Sequence, residues 1–170
     1  MRTRVRLAAS LCASALLSFS TSSFAQAELP KEGPVAATVV IHSNLKIMSV
    51  GDLVQNLYDG VGGVIADKPG GFGDRLTVRC MGSLRMLKGK IEFENNMCEY
   101  TDPAGDKFYT KLVNVSSDAD KVVNRTTLIS GTGKYEGITG GWEAVRRSHR
   151  SPAEGASVSS TKITGTYKLP

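Results

Sequence analysis

Few side chains in this sequence have the type and spacing that chemistry requires, and each has a plainer use beside it. Glu92 and Glu94 stand two residues apart in an alternating run, so they share one face of a strand. Lining a pocket, such a pair is an acid/base couple. The opposite face carries Ile91 and Phe93, which fill an interior better, so Glu92 and Glu94 are expected on the solvated face. Asp102 and Asp106 flank a turn with Gly105, but the remaining ligands of a calcium loop are missing, and turn chemistry accounts for both acids. The two histidines are His42 and His149, and no His-x-x-x-His or Cys-x-x-Cys spacing occurs, so neither a metal nor another cofactor is expected. His42 lies in a β-rich run and reads as structural or surface. A Gly-x-Ser-x-Gly elbow is absent. Pro69-Gly70-Gly71-Phe72-Gly73 has the glycines of a phosphate loop without its spacing, its Lys-Ser/Thr ending or a helix after it, and reads as a plain loop. Arg146-Arg147-Ser148-His149-Arg150 is a local cationic run and reads as a solvated loop or strand end.

The first residues point to export. Arg2, Arg4 and Arg6 precede an apolar stretch from Leu7 to Phe19, and small and polar residues follow to Ala27. Charged start, short apolar middle and a small-x-small end at Ala25-Gln26-Ala27 are the parts of a cleavable signal. The apolar stretch has about 13 residues, short of the roughly 20 that span a bilayer. Leu11 before Cys12 is too large for a lipoprotein signal. Residues 1–27 therefore read as a signal peptide, 28–34 as a flexible leader and 35–170 as one domain, periplasmic or secreted. The whole chain carries a net charge of +5. Removing three cations and no acid leaves 18 Lys and Arg against 16 Asp and Glu, a net of +2. That is no footprint for nucleic acid. No later segment is apolar enough to be a transmembrane helix.

Behind the candidate residues the pattern is that of strands. Leu76, Val78, Cys80, Gly82, Leu84 and Met86 alternate with Thr77, Arg79, Met81, Ser83 and Arg85, as in a half-buried antiparallel strand. Lys88-Gly89-Lys90 is a hairpin turn, and Ile91–Thr101 is the returning partner. Strands are expected again over Lys107–Ser116, Val122–Ser130, Thr139–Arg147 and Val158–Leu169. Val35–Val50 reads as one or two strands, Asp52–Tyr58 as a helical turn or a strand, and Val64–Ala66 as a short strand inside a glycine-dense stretch. The expected fold is all-β, a sandwich or an up-and-down barrel.

Once Cys12 leaves with the signal, Cys80 and Cys98 remain, and an oxidising compartment makes a disulfide the expected state. A two-residue turn at Lys88-Gly89 sets Arg79 opposite Cys98 but keeps Leu84 beside Phe93. A three-residue turn pairs the cysteines but sets Leu84 against Glu94. A bulge satisfies both demands, and Asn95-Asn96 is its expected place.

Gly131-Thr132-Gly133-Lys134-Tyr135-Glu136-Gly137-Ile138-Thr139-Gly140 resembles the Gly-Thr-Gly-x-Tyr/Phe-x-Gly-x-x-Gly signature of the allene oxide cyclase barrel-like group, to which dirigent proteins are related. Arg79-Cys80-Met81-Gly82, Met97-Cys98-Glu99, Asp102 with Gly105-Asp106-Lys107, and the ending Thr164-Gly165-Thr166-Tyr167-Lys168-Leu169 resemble its exported bacterial members. The likeness covers roughly residues 70–170. It implies a single eight-stranded antiparallel barrel of calycin type, with Gly131, Gly133, Tyr135, Gly137 and Gly140 forming a structural turn. Plant members of the group bind apolar molecules in the barrel and steer cyclisation or coupling. The motif names no catalytic residue.

The expected function is therefore non-catalytic binding of a small apolar or amphipathic molecule inside the barrel, with Leu84, Phe93, Tyr135 and Trp142 lining it. A cyclase or dirigent-like role is the alternative, marked by a polar group deep in an apolar pocket. A structural or adhesion module is the third, marked by a packed core and an exposed apolar patch.

Overall fold

The computed structural model describes residues 29–118 and 121–170, so the expected export signal lies outside the described residues. Eight strands follow in order: β1 Glu32–Val50, β2 Leu53–Ala66, β3 Thr77–Leu87, β4 Lys90–Thr101, β5 Lys107–Asp118, β6 Lys121–Gly131, β7 Thr139–His149 and β8 Ala156–Lys168. Each pairs antiparallel with its neighbour in sequence, and β8 returns to β1 to close the barrel. The expected eight-stranded all-β barrel is what the chain forms.

Two differences from the sequence pattern lie before Arg75. Glu32, Gly33 and Pro34 are not loose leader but the start of β1, paired with Lys168, Tyr167 and Thr166. The end of the chain holds them there: the Leu169 amide donates to Lys31 O at 2.6 Å, and Lys31 Nζ to Pro170 O at 2.7 Å. The first part of the glycine-dense stretch, residues 60–66, is likewise strand and continuous with the rest of β2, while residues 69–73 are the expected loop. The glycines of β2 allow β1 to lie close, since a Cβ on Gly62 would sit 1.9 Å from Val40 O.

The β3–β4 hairpin decides which side chains face inward. Lys88 and Gly89 both have positive φ, 51° and 75°, and form a two-residue turn. Leu87 pairs with Lys90 and Met86 with Ile91, and the register then shifts so that Arg85 pairs with Phe93. Glu92 is the extra residue. The expected bulge exists, but at Glu92 instead of Asn95-Asn96. Beyond it Cys80 pairs with Cys98, and the two form a disulfide. Closing a loop of sequence separation 18 contributes about 3 kcal/mol in the chain-entropy account. An extra residue also exchanges the faces of everything after it. Phe93, expected inside, therefore points outward and is 46% exposed, while Glu94 is buried.

The two ends of the barrel differ. At one end the connections are long and fold inward. Phe72, from the β2–β3 connection, stacks on Tyr167 with ring centroids 4.2 Å apart and meets Phe108 at 5.3 Å. Tyr135 and Ile138 enter from the β6–β7 connection, and Leu169 from the chain end. The β1–β2 and β3–β4 hairpins, each with a two-residue turn, and the connection from His149 to Ala156 border the other end, which stays open.

Candidate functional site

The open half of the interior contains a buried polar network. Glu94 reaches it because of the bulge, and Arg146 because β7 alternates Trp142, Ala144 and Arg146 inward. Arg146 is therefore not part of a solvated run. Its Nη1 donates to Glu94 Oε1 and its Nη2 to Oε2 at 3.0 Å, a bidentate pair. Tyr58 Oη, from β2, donates to Glu94 Oε1 at 3.3 Å and accepts from Asn96 Nδ2 at 2.8 Å.

This arrangement limits the chemistry. Burial, then the charge of Glu94, pushes the Tyr58 phenol well above its ordinary range. Tyr58 is thus a neutral donor at ordinary pH. Glu94 Oε1 accepts from Tyr58 and Arg146 and Oε2 from Arg146, so the carboxylate is fixed in place by a bidentate ion pair. The pair carries no net charge, which favours a neutral guest over an ion. Among the described residues two buried side-chain polar atoms, Thr110 Oγ1 and Asn56 Oδ1, make no hydrogen bond.

Space surrounds this network on both sides. An inner cavity of about 70 Å³ has a mixed lining, apolar at Val39, Ile41, Leu112, Trp142, Ile163 and the disulfide and polar at Thr110, Asn124, Thr126 and Thr161. A mouth of about 300 Å³ lies above, bounded by Leu45, Asn56, Leu84, Met86 and Ile91. Ser43, Tyr58, Arg146 and Ser159 line both. The mouth alone reaches the low end of the range for small-molecule sites, about 300–1,000 Å³.

The four residues expected to line the interior together are separated. Leu84 lines the mouth and Trp142 the inner cavity. Tyr135 is buried in the packed half, its ring 5.1 Å from Phe108, and its hydroxyl reaches Asp102 Oδ2 at 3.5 Å. Phe93 lies outside. The Gly131–Gly140 motif forms the expected turn: a 3-10 turn over Gly133–Tyr135 brings the Tyr135 ring inward. Gly133 has φ of +54°, and a Cβ there would meet Asp106 Oδ1 at 1.9 Å. Asp102 and Asp106 serve this turn, as Asp102 Oδ1 accepts from the Ala104 and Asp106 amides and Asp106 Oδ2 from that of Lys134. Glu92 pairs with Arg85 on the outside at 3.3 Å. Among the described residues no group of His, Cys, Asp and Glu is placed to hold a metal. No helix there is long and apolar enough to cross a membrane.

No protein-family model matches the chain. No curated protein matches it by sequence. The fold is similar to the solved structure of a pterocarpan synthase dirigent protein, with a TM-score of 0.50 and 10% identity over 83% of this chain and 94% of that one. At that identity the likeness is one of architecture: an eight-stranded antiparallel barrel of the dirigent type.

Proposed function

We propose that the barrel receives a neutral amphipathic small molecule through its open end and orients it, in a dirigent-like manner, for coupling or cyclisation. The observation that carries this reading is the Glu94–Arg146–Tyr58–Asn96 network, buried at the junction of an inner cavity of mixed lining and an open mouth. It is the deep polar group that distinguishes a dirigent-like site from a plain apolar store. The unpaired Thr110 Oγ1 and Asn56 Oδ1 add positions for a hydroxyl-bearing guest. With Glu94 held by Arg146, the protein supplies orientation and exclusion of water. The Gly131–Gly140 turn supports membership of the allene oxide cyclase barrel-like group, and the disulfide supports an oxidising, extracytoplasmic compartment.

Native mass spectrometry of protein purified from a host that exports it tests the reading. A retained neutral molecule is expected, and it should be lost from Glu94→Leu/Arg146→Leu. That double substitution replaces a buried ion pair by packed apolar groups and is expected to leave the fold intact. A guest retained equally by the double variant, or none taken up by either protein from apolar extracts, defeats the reading.

A further inference from the structure

The rim around the mouth carries a second feature that ligand binding does not require. β1 leaves β8 after Asn44, whose partner is Ala156, and Leu45 makes one last contact, its amide donating to Gly155 O at 2.8 Å. From Lys46 to Leu53 every residue is exposed, so the β1–β2 hairpin projects beyond the rim. Its tip is apolar: Val50 is 74% exposed, Met48 68% and Ile47 56%, with Leu53 beside them. The β3–β4 turn stands next to it, the Lys88 amide donating to Asp52 O at 3.1 Å, and adds the exposed Leu87. Lys46, Lys88 and Lys90 flank this apolar tip, with Asp52 as the acid among them. Among the described residues these three lysines make no ion pair.

The outer wall offers a contrast. It also exposes apolar side chains such as Met81 and Met97, but these lie flat on the wall, and of the charges near them Arg79 pairs with Asp59 and Lys107 with Glu99, while Lys111 opposite Met97 makes no ion pair among the described residues. At the rim the apolar side chains project beyond the barrel wall and three unpaired lysines stand around them. Apolar tips with flanking lysines suit a surface that is negatively charged outside and apolar just beneath.

We propose that this rim docks on an anionic lipid surface, with Ile47, Met48, Val50, Leu53 and Leu87 entering the headgroup layer and Lys46, Lys88 and Lys90 meeting the lipid anions. The mouth then faces the bilayer. Docking is independent of whether the cavity takes a guest, and the two are measured separately.

The barrel closes within Glu32–Lys168, so a chain beginning at Glu28 carries the whole folded unit without the apolar residues 7–19. Flotation is read with vesicles of phosphatidylcholine alone and with equal parts of phosphatidylglycerol added. Binding is expected only to the anionic vesicles, and is expected to vanish in about 1 M salt. Met48→Ser/Val50→Ser should weaken it about tenfold, and Lys46→Gln/Lys88→Gln/Lys90→Gln about a hundredfold. Met81→Ser/Met97→Ser on the outer wall should bind like the unaltered chain. Met48→Trp gives a second reading, a blue-shifted emission with anionic vesicles. No binding, equal binding to both vesicles, or indifference to the rim substitutions overturns the proposal. So does self-association that buries the rim and is lost with Met48→Ser/Val50→Ser, which would assign the surface to a second copy of the chain.

Discussion

The two halves of this barrel interior share eight strands and one alternation rule, yet one is full and the other is not. In the packed half, Tyr100 stacks on Phe108 at 4.7 Å and Trp142 stands edge-on to Tyr100 at 5.9 Å. Phe72 and Tyr135 complete the filling from loops, not strands. In the open half the inward positions of β8 are Ser157, Ser159 and Thr161. Small side chains there leave space, and among the described residues no aromatic ring folds in over it as Phe72 and Tyr135 do at the other end. The difference shows that a small barrel does not acquire a cavity from strand number alone. It acquires one where its inward residues are small and no ring folds in from the connections.

The sharpest test of the packed half is Phe108→Ala. Phe108 is buried, and its ring has three aromatic neighbours within 5.3 Å. Truncation should cost about 3–5 kcal/mol, read by urea unfolding. Guest retention by the molecules that remain folded should not change. A cost below about 1 kcal/mol would mean that this half is loosely filled too, and the contrast would fail.

A smaller effect is expected at the turn beneath that packing. Burial opposes ionisation of Asp102, but the Lys134 ammonium, then the Ala104 and Asp106 amides, outweigh it and hold its carboxyl below the usual carboxylate range. A carboxyl whose folded pKa is depressed stabilises the protein above its unfolded value, about 3.9. That contribution is lost as pH falls through the folded value. Asp102→Asn keeps an acceptor for the amides and loses the ion pair. It should cost about 1–2 kcal/mol at neutral pH, and the gap from the unaltered chain should narrow below about pH 4. A gap that stays constant with pH would place the stabilisation in the turn geometry and not in the charge.

How much of this was legible in the sequence follows the same division. Strands β3 to β8 and the turn at Gly131–Gly140 can be read because alternation and turn residues are local signals. β2 hides because its glycines are chosen for the closeness of β1, a non-local cause. The network is hidden from the sequence pattern by one residue. Reading parity outward from the hairpin turn puts Phe93 inside and Glu94 outside. Reading it back from paired cysteines sets Leu84 opposite Glu94, and this is the arrangement that holds. One extra residue at Glu92 separates the two, and only the disulfide carried information about it. Arg146 was hidden by its company, since Arg147, His149 and Arg150 are exposed and it is not. The space itself has no sequence signal, because it depends on which small residues meet across the barrel.

That space can be addressed with the least disturbance of all. Ser159 lines both the inner cavity and the mouth, so Ser159→Phe places a ring in the space and not against close-packed neighbours. Overpacking a filled core costs about 1–3 kcal/mol. Here the change in stability should stay within about 1 kcal/mol of zero, while guest retention is abolished. The same serine-to-phenylalanine exchange would thus separate the two properties that Phe108→Ala separates from the other side. If Ser159→Phe instead destabilises by more than about 2 kcal/mol, the open half is filled in solution, by water held on Thr110 and Asn56 or by closure of the hairpins. The Glu94–Arg146 pair would then be a strut in a solid barrel and not the base of a binding site.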